Sequence, residues 1–510
     1  MIVVLNFGSQ FAHLIARRIR DLGVCAEIFP FTASLADIMV MNPDGIVLSG
    51  GPSSVVSKEH PSVPKELFGL GIPVLGICYG EQLMASLLGG TVSEGKTREY
   101  GKEEISIIKR TGIFKRLKAK ETVWFSHGDV VTVVPDDFVV TASTAHAPIA
   151  AFADAKRKLY GVQFHPEVTH TVHGNIIISD FIFEVCKAKK DWNIKALQEK
   201  ILSSIQEKVQ DKHVLIGVSG GVDSLVAAAL LYKVIPEQVH AVFVDTGMLR
   251  ENEVAEVIKS FDEQQFKNFD VINASSLFLS RLRRVLDPEE KRKVIGHTFI
   301  DVFEKHIRRT LRAHPIKFFA QGTIYPDRIE SAQASVHASK IKSHHNLSIP
   351  EAFGFTIIEP LRDLYKDEVR RLGTALGLPK ELLFRHPFPG PGLGVRIVGE
   401  VTRDRIALLS RADAIYREEL KLSGEYPKIW QAFAALLPIK TVGVMGDART
   451  YEYIVALRAV DSVDGMSADW HRMPQALLEK VSSRITREVR GINRVLYDIT
   501  QKPPATIEYE

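Results

Sequence analysis

Short apolar runs recur along the first part of the chain, with amphipathic stretches between them. Residues 2–7, 26–29, 45–48 and 74–77 are too short for helices and predict buried strands, while residues 10–21 carry the spacing of a helix with one apolar face. This is the βαβ rhythm of a parallel sheet covered by helices. From about Thr91 the apolar positions alternate over shorter stretches, as antiparallel strands at a sheet edge do, and residues 175–186 predict a closing helix. The charged stretch 187–195 reads as a boundary.

Beyond it the rhythm resumes. A helix at 196–209 leads to the apolar strand 213–218, followed by strands at 239–244, 269–272 and 316–320 and helices at 225–234 and 251–260. The run His386-Pro387-Phe388-Pro389-Gly390-Pro391-Gly392-Leu393-Gly394 is too rich in proline and glycine for a helix and reads as a linker. Past it, helices at 403–420 and 474–490 and strands near 441–445, 452–458 and 492–499 predict a small α+β unit. The expected fold class is α/β: two parallel-sheet α/β domains, residues 1–190 and 191–385, then a small α+β domain, residues 386–510.

Composition narrows the function classes. A chain of 510 residues exceeds one ordinary core, and 45% hydrophobic with 25% charged residues is a globular balance. A formal net charge of +4 does not suggest a nucleic-acid protein, and no apolar run is long enough to span a membrane. The chain opens without a basic leader, and Cys25, Cys78 and Cys186 show neither metal-ligand spacing nor a disulfide framework. A cytoplasmic location is expected.

Two glycine-bearing turns carry candidate chemistry. The strand 213–218 runs into Ser219-Gly220-Gly221-Val222-Asp223-Ser224 and then an apolar helix. Glycines let the backbone approach a phosphate, and the helix N-terminus favours negative charge there. No Gly-Lys-Ser/Thr follows, so hydroxyls and amides, rather than a loop lysine, would hold the phosphates. The second turn is Gly76-Ile77-Cys78-Tyr79-Gly80-Glu81-Gln82, the cysteine form of a nucleophile elbow between strand and helix. Its base must come from elsewhere in the chain. His165 ends the strand 159–164 and has Glu167 two residues on to orient its ring; His127 and His146 are competing candidates. Asp245 ends a strand where a doubly wound sheet presents ligand groups, and the polar runs 321–327 and 340–346 suit a lid over polyphosphate.

The loop Ser219–Ser224 resembles the PP-loop of ATP pyrophosphatases, which cleave ATP between the α and β phosphates. The elbow, together with Phe164-His165-Pro166-Glu167 and Ser49-Gly50-Gly51-Pro52, resembles a class I glutamine amidotransferase over roughly residues 1–190. That resemblance implies Cys78 as nucleophile, His165 as base, Glu167 as its orienter, Gly50 and Gly51 at the oxyanion hole and Gln82 at the glutamine. With the order of its parts and the tail Lys502-Pro503-Pro504-Ala505-Thr506-Ile507-Glu508, the whole chain resembles the glutamine-hydrolysing GMP synthetase family.

The resemblance implies that ATP adenylates xanthosine 5′-monophosphate and that ammonia from glutamine then displaces AMP to give GMP. It assigns ATP to Ser219, Gly220, Gly221, Val222, Asp223, Ser224 and Lys342 (or Lys340), and Mg²⁺ to Asp223. The nucleotide substrate falls to Lys502, Thr506, Ile507 and Glu508, and a homodimer forms through the third unit. The alternatives are a PP-loop amidotransferase acting on another carbonyl, or a nucleotide-binding regulator with dead sites. Among departures from the family pattern, Glu81 stands where many relatives carry an apolar residue.

Overall fold

The apolar runs at the N-terminus become the middle of a sheet in the computed structural model. It describes residues 1–9, 11–145, 147–310, 314–325, 327, 353–445, 448–462 and 468–510. The described chain divides into two units, Met1–Leu197 and Gln198–Glu510.

The first unit holds nine strands: β1 (Ile2–Asn6), β2 (Ala26–Pro30), β3 (Gly45–Leu48), β4 (Val74–Ile77), β5 (Thr91–Ile107), β6 (Lys120–Val133), β7 (Val139–Ser143), β8 (Ala151–Asp154) and β9 (Leu159–Val162). They lie in the order β2-β1-β3-β4-β9-β8-β7-β5-β6. Strands β2 to β9 of that order pair in parallel, and the β8-to-β6 edge is antiparallel. Side-chain alternation along β1 explains its unbroken hydrophobicity: Ile2 and Val4 enter a core with Ile15 and Ile19, while Val3 and Leu5 enter the opposite one with Leu67 and Leu83. The expected closing helix is α-helical only over Gly174–Ser179. It then widens into a π turn, Asp180–Val185, where the buried Asp180 carboxylate accepts from Arg116 Nε at 2.6 Å.

In the second unit, β10 (His213–Val218), β11 (Val239–Asp245), β12 (Phe269–Asn273), β13 (Ile316–Ala320) and β14 (Thr356–Ile358) form a wholly parallel sheet ordered β12-β11-β10-β13-β14. The helix Val222–Val234 is apolar nearly all round and correspondingly buried. A third sheet contains β15 (Gln431–Met445), β16 (Ala448–Asp461), β17 (Asp469–Trp470) and β18 (Ile492–Asp498). The two short strands expected near 441–445 and 452–458 are parts of one long hairpin.

The proline- and glycine-rich run is not a linker. Leu393, Val395 and Arg396 are fully buried, and Leu393 N–H donates to Met248 O at 2.7 Å. Gly392, with φ +65°, packs so closely on Met248 O that a side chain there would collide with it. One core runs from Leu215 through Leu393 to Ile492, so both sheets of this unit share it. Among the described residues no helix is long and apolar enough to cross a membrane.

Candidate functional site

Cys78 sits where β4 turns into the helix Tyr79–Leu87, at φ +51° and ψ −107°. A non-glycine residue is strained there, and that strain lifts the side chain off the sheet. Its neighbours explain how the turn closes. A Cβ on Gly76 would lie 2.6 Å from Gly80 O, so the strand can meet the helix only because that atom is missing. Cys78 N–H donates to Val162 O at 2.8 Å and Gly80 N–H to Ser49 O at 3.1 Å, tying the elbow to β9 and to the end of β3.

His165 follows β9, with its backbone N–H held by Trp124 O at 2.9 Å. Its Nδ1 meets Glu167 Oε1 at 2.7 Å, both groups are buried, and the ring is hydrogen-bonded to the Cys78 thiol. Burial opposes a charged ring, but the Glu167 carboxylate and the bond to Cys78 outweigh it, and His165 is raised to about 10. Gly50 packs on this pair: a Cβ there would stand 3.0 Å from His165 Cε1 and 3.7 Å from Cys78 Cβ. Gln82 is brought close as well, its amide donating to Asp129 O at 2.8 Å and Gln163 Oε1 at 3.1 Å.

Of the rival bases, His127 has Nδ1 3.1 Å from Asp129 O, and burial, against that bond, lowers it to about 4. Such a ring is a weak base. His146 lies outside the described residues. Glu81 is an oddity in this site: the side chain is fully buried, and neither oxygen has a hydrogen-bond partner among the described residues. Burial, and then the nearby Cys78, push its carboxyl well above the usual range.

The second turn lies at the carboxyl end of β10. Gly220 takes φ +74°, and Gly221 precedes the helix Val222–Val234. The hydroxyls brace the loop: Ser224 Oγ accepts from Ser219 N at 3.2 Å and donates to Gly221 O at 3.1 Å, and Ser219 Oγ accepts from Gly221 N at 3.3 Å. Gly322, following β13, packs on the same loop, since a Cβ there would come within 3.0 Å of Asp223 C and Ser224 N. Asp223 Oδ2 accepts from Lys366 Nζ at 2.5 Å, whereas Oδ1 is buried with no hydrogen-bond partner among the described residues. Lys366 was missed from sequence because it lies 143 residues from Asp223 in a helix start with no glycine signature. Lys342 and Lys340 lie outside the described residues.

The tail is anchored rather than loose. Lys502 bridges Ala468 through backbone N–H and C=O, and Arg458 donates to Thr506 O and Ile507 O at 2.9 Å each. Glu508 takes a two-pronged contact from buried Arg396, at 2.9 and 2.8 Å, and a third from Gln431. Ile507 is buried beside Phe433. No signal in the sequence pointed Arg396 or Arg458 to a partner; those partners lie 112 and 49 residues away.

Three family models match the chain: Glutamine amidotransferase class-I over residues 3–185, NAD synthase over residues 193–291 and GMP synthase C terminal domain over residues 418–509. Among relatives, a protein of Carboxydothermus hydrogenoformans named GMP synthase (glutamine-hydrolyzing) is 51% identical over 510 residues, covering 100% of this chain and 99% of its own. One of the same name from Caldanaerobacter subterraneus subsp. tengcongensis is 52% identical with the same coverage. With about half its residues shared over the full length of both proteins, and with an elbow and a phosphate loop in the matched regions, this chain belongs to the glutamine-hydrolysing GMP synthase family.

Proposed function

We infer that the chain makes GMP from xanthosine 5′-monophosphate, ATP and glutamine, releasing AMP, pyrophosphate and glutamate. The observation that carries this reading is the coexistence of two complete loops in one chain: a strained Cys78 beside the His165–Glu167 pair, and a phosphate loop without a Walker lysine.

In the first unit Cys78 attacks the glutamine amide carbon. His165 holds the thiol proton, as its raised pKa favours, and returns it to the departing ammonia, while Glu167 fixes the ring and stabilises its charge. Backbone amides at Gly50 and Gly51 receive the oxyanion, and water then releases glutamate. Gln82 shapes the glutamine pocket.

In the second unit Ser219 to Ser224 cradle the ATP phosphates, with Lys342 as an added cation. The purine 2-oxygen attacks the α-phosphorus, pyrophosphate leaves, and ammonia displaces AMP from the adenylated carbon. Asp223 fits Mg²⁺ through Oδ1, which has no hydrogen-bond partner among the described residues, since Mg²⁺ is held by one or two carboxylates plus phosphates and water. The ion would supply charge neutralisation for the leaving pyrophosphate. Lys502, Thr506, Ile507 and Glu508 border the substrate nucleotide. The working divisions are residues 1–190, 191–385 and 386–510, the last pairing two chains into a dimer, and the setting is cytoplasmic.

Replacing Cys78 with Ala tests the assignment. Glutamine-driven synthesis should vanish while synthesis from added ammonia survives, with AMP and pyrophosphate as the ATP products. Loss of both activities in a folded variant, or ADP as the product, would refute it.

A further inference from the structure

Three histidines meet in the second unit, away from both loops. His213 is the first residue of β10, His240 the second of the neighbouring β11, and His314 precedes β13 on the other side of β10. The strands are parallel, so all three lie at their amino ends, whereas the phosphate loop follows the carboxyl end of β10. The length of β10 puts the two about 20 Å apart at ~3.3 Å per residue. We propose that His213, His240 and His314 form a binding site for a divalent transition metal of the zinc class, which ties together the starts of three adjacent strands.

The geometry carries the assignment. His213 Nδ1 faces His240 Nε2 at 2.9 Å, and a nitrogen from each of the three rings lies within 4.8 Å of the others. Nitrogens bound to tetrahedral zinc at ~2.0–2.1 Å sit about 3.3 Å from one another, so modest ring rotations suffice. His314 lies outside β13, so its position is less constrained than the two strand histidines. Three imidazoles select zinc, nickel, cobalt or copper over magnesium or calcium, and they leave a fourth position for water.

The surroundings suit a cation. Asp270, on β12, lies near enough for its charge to act on His240 and stands 3.2 Å from His306 Nε2. Arg309 acts in turn on His306, which shares Asp270 with His240. His240 is buried between the other two rings. Hydrogen bonding holds the His213–His240 contact and ring packing holds His314 against His240, with centroids 4.3 Å apart; the convergence of one nitrogen from each ring is what a shared cation would use.

Equilibrium dialysis of the EDTA-stripped full chain against Zn²⁺, and optical titration with Co²⁺, test the site. One equivalent should bind to the native chain and to Cys78→Ser, which removes the one thiol beside a histidine in the glutamine site. The Co²⁺ spectrum should show tetrahedral d–d bands without thiolate charge transfer. His240→Gln and His314→Gln should each weaken binding at least ~100-fold. Zn²⁺ should raise the unfolding temperature of the native chain but not of His314→Gln. His314 is partly exposed, so this variant retains its fold if His240→Gln does not. Absence of a bound equivalent in Cys78→Ser, or undiminished binding in folded His314→Gln, overturns the proposal.

Discussion

Glu81 shows at the residue scale how local chemistry constrains the elbow of this chain. Its carboxyl is enclosed without a hydrogen-bond partner among the described residues, and Gly161 on β9 leaves the space it occupies. An unsatisfied buried polar group of this kind costs about 1–3 kcal/mol. Glu81→Met, close in volume, should therefore stabilise the first unit by that order. The gain should grow with pH: the folded carboxyl is raised above its unfolded value, so the native state loses stability as pH climbs towards the folded pKa. Urea midpoints at pH 6 and pH 9, followed by amide exchange along β4, measure this; an equal shift at both pH values would contradict the buried acid.

His165 obeys the same sign rule from the other class of side chain. Raised to about 10, it contributes stability fully below its unfolded pKa of about 6.5, and that contribution fades as pH rises through 10. Glu167→Gln removes the main charge holding it up. That variant should lose about 10²–10⁴ in glutaminase kcat with KM for glutamine little changed, and its unfolding should become less pH-dependent between pH 7 and 10. Initial rates with glutamine varied, beside thermal melts across that range, separate the two effects.

Elements extend the argument from side chains to loops. Gly322 holds the start of its loop against the backbone of Asp223 and Ser224. An alanine methyl 3.0 Å from those backbone atoms must displace the phosphate loop, because neither neighbour is a flexible side chain. Gly322→Ala is expected to raise KM for ATP at least ~10-fold in ammonia-driven synthesis while glutaminase activity is retained. An unchanged KM would mean that the loop tolerates the shift.

The same scale shows why some elements were legible and others were not. Strands β3 and β4 match their apolar runs residue for residue, because a strand buried on both faces must be continuously hydrophobic; β13 matches as well, although its Lys317 reaches solvent. The hairpin β15–β16 was underestimated because its buried half, Gln431–Leu436, is rich in alanine, which carries little strand signal. The elbow and the phosphate loop were legible because each needs a glycine at a fixed offset. Lys366, Arg396 and the three clustered histidines were not, since their partners are brought by topology rather than by spacing.

For the whole molecule, the apolar surface of the third sheet points to a second copy. Strand β15 is buried from Gln431 to Leu436 and then leaves the core, exposing Ile439, Val442 and Val444; Tyr451, opposite Val442 in the hairpin, is 66% exposed. Contiguous apolar positions on a long exposed hairpin are an association hazard unless covered, and a two-fold dimer covers a patch with its own copy. Strand β15 pairs with β16 on one side, and on its other edge only Leu436 is bridged, to Ile397, by the described residues, which leaves the exposed half of that edge to a partner. Val444→Glu places a charge in the middle of that surface and replaces a side chain that touches no core. It should halve the sedimenting mass without unfolding the chain, since Leu436, Val455 and Ile492 hold the sheet to its helices independently. The tail segment Thr506–Glu508 hangs from Arg458 and Arg396 of this same sheet and its approach, so under the proposed function the nucleotide site borders the pairing sheet and should weaken when the partner is lost. KM for xanthosine monophosphate should therefore rise in Val444→Glu while Cys78 keeps its reactivity toward glutamine analogues. Sedimentation velocity and substrate-varied kinetics on one preparation decide it: a full-mass particle removes this hairpin as the interface, and a monomer with unaltered KM separates dimerisation from the nucleotide site.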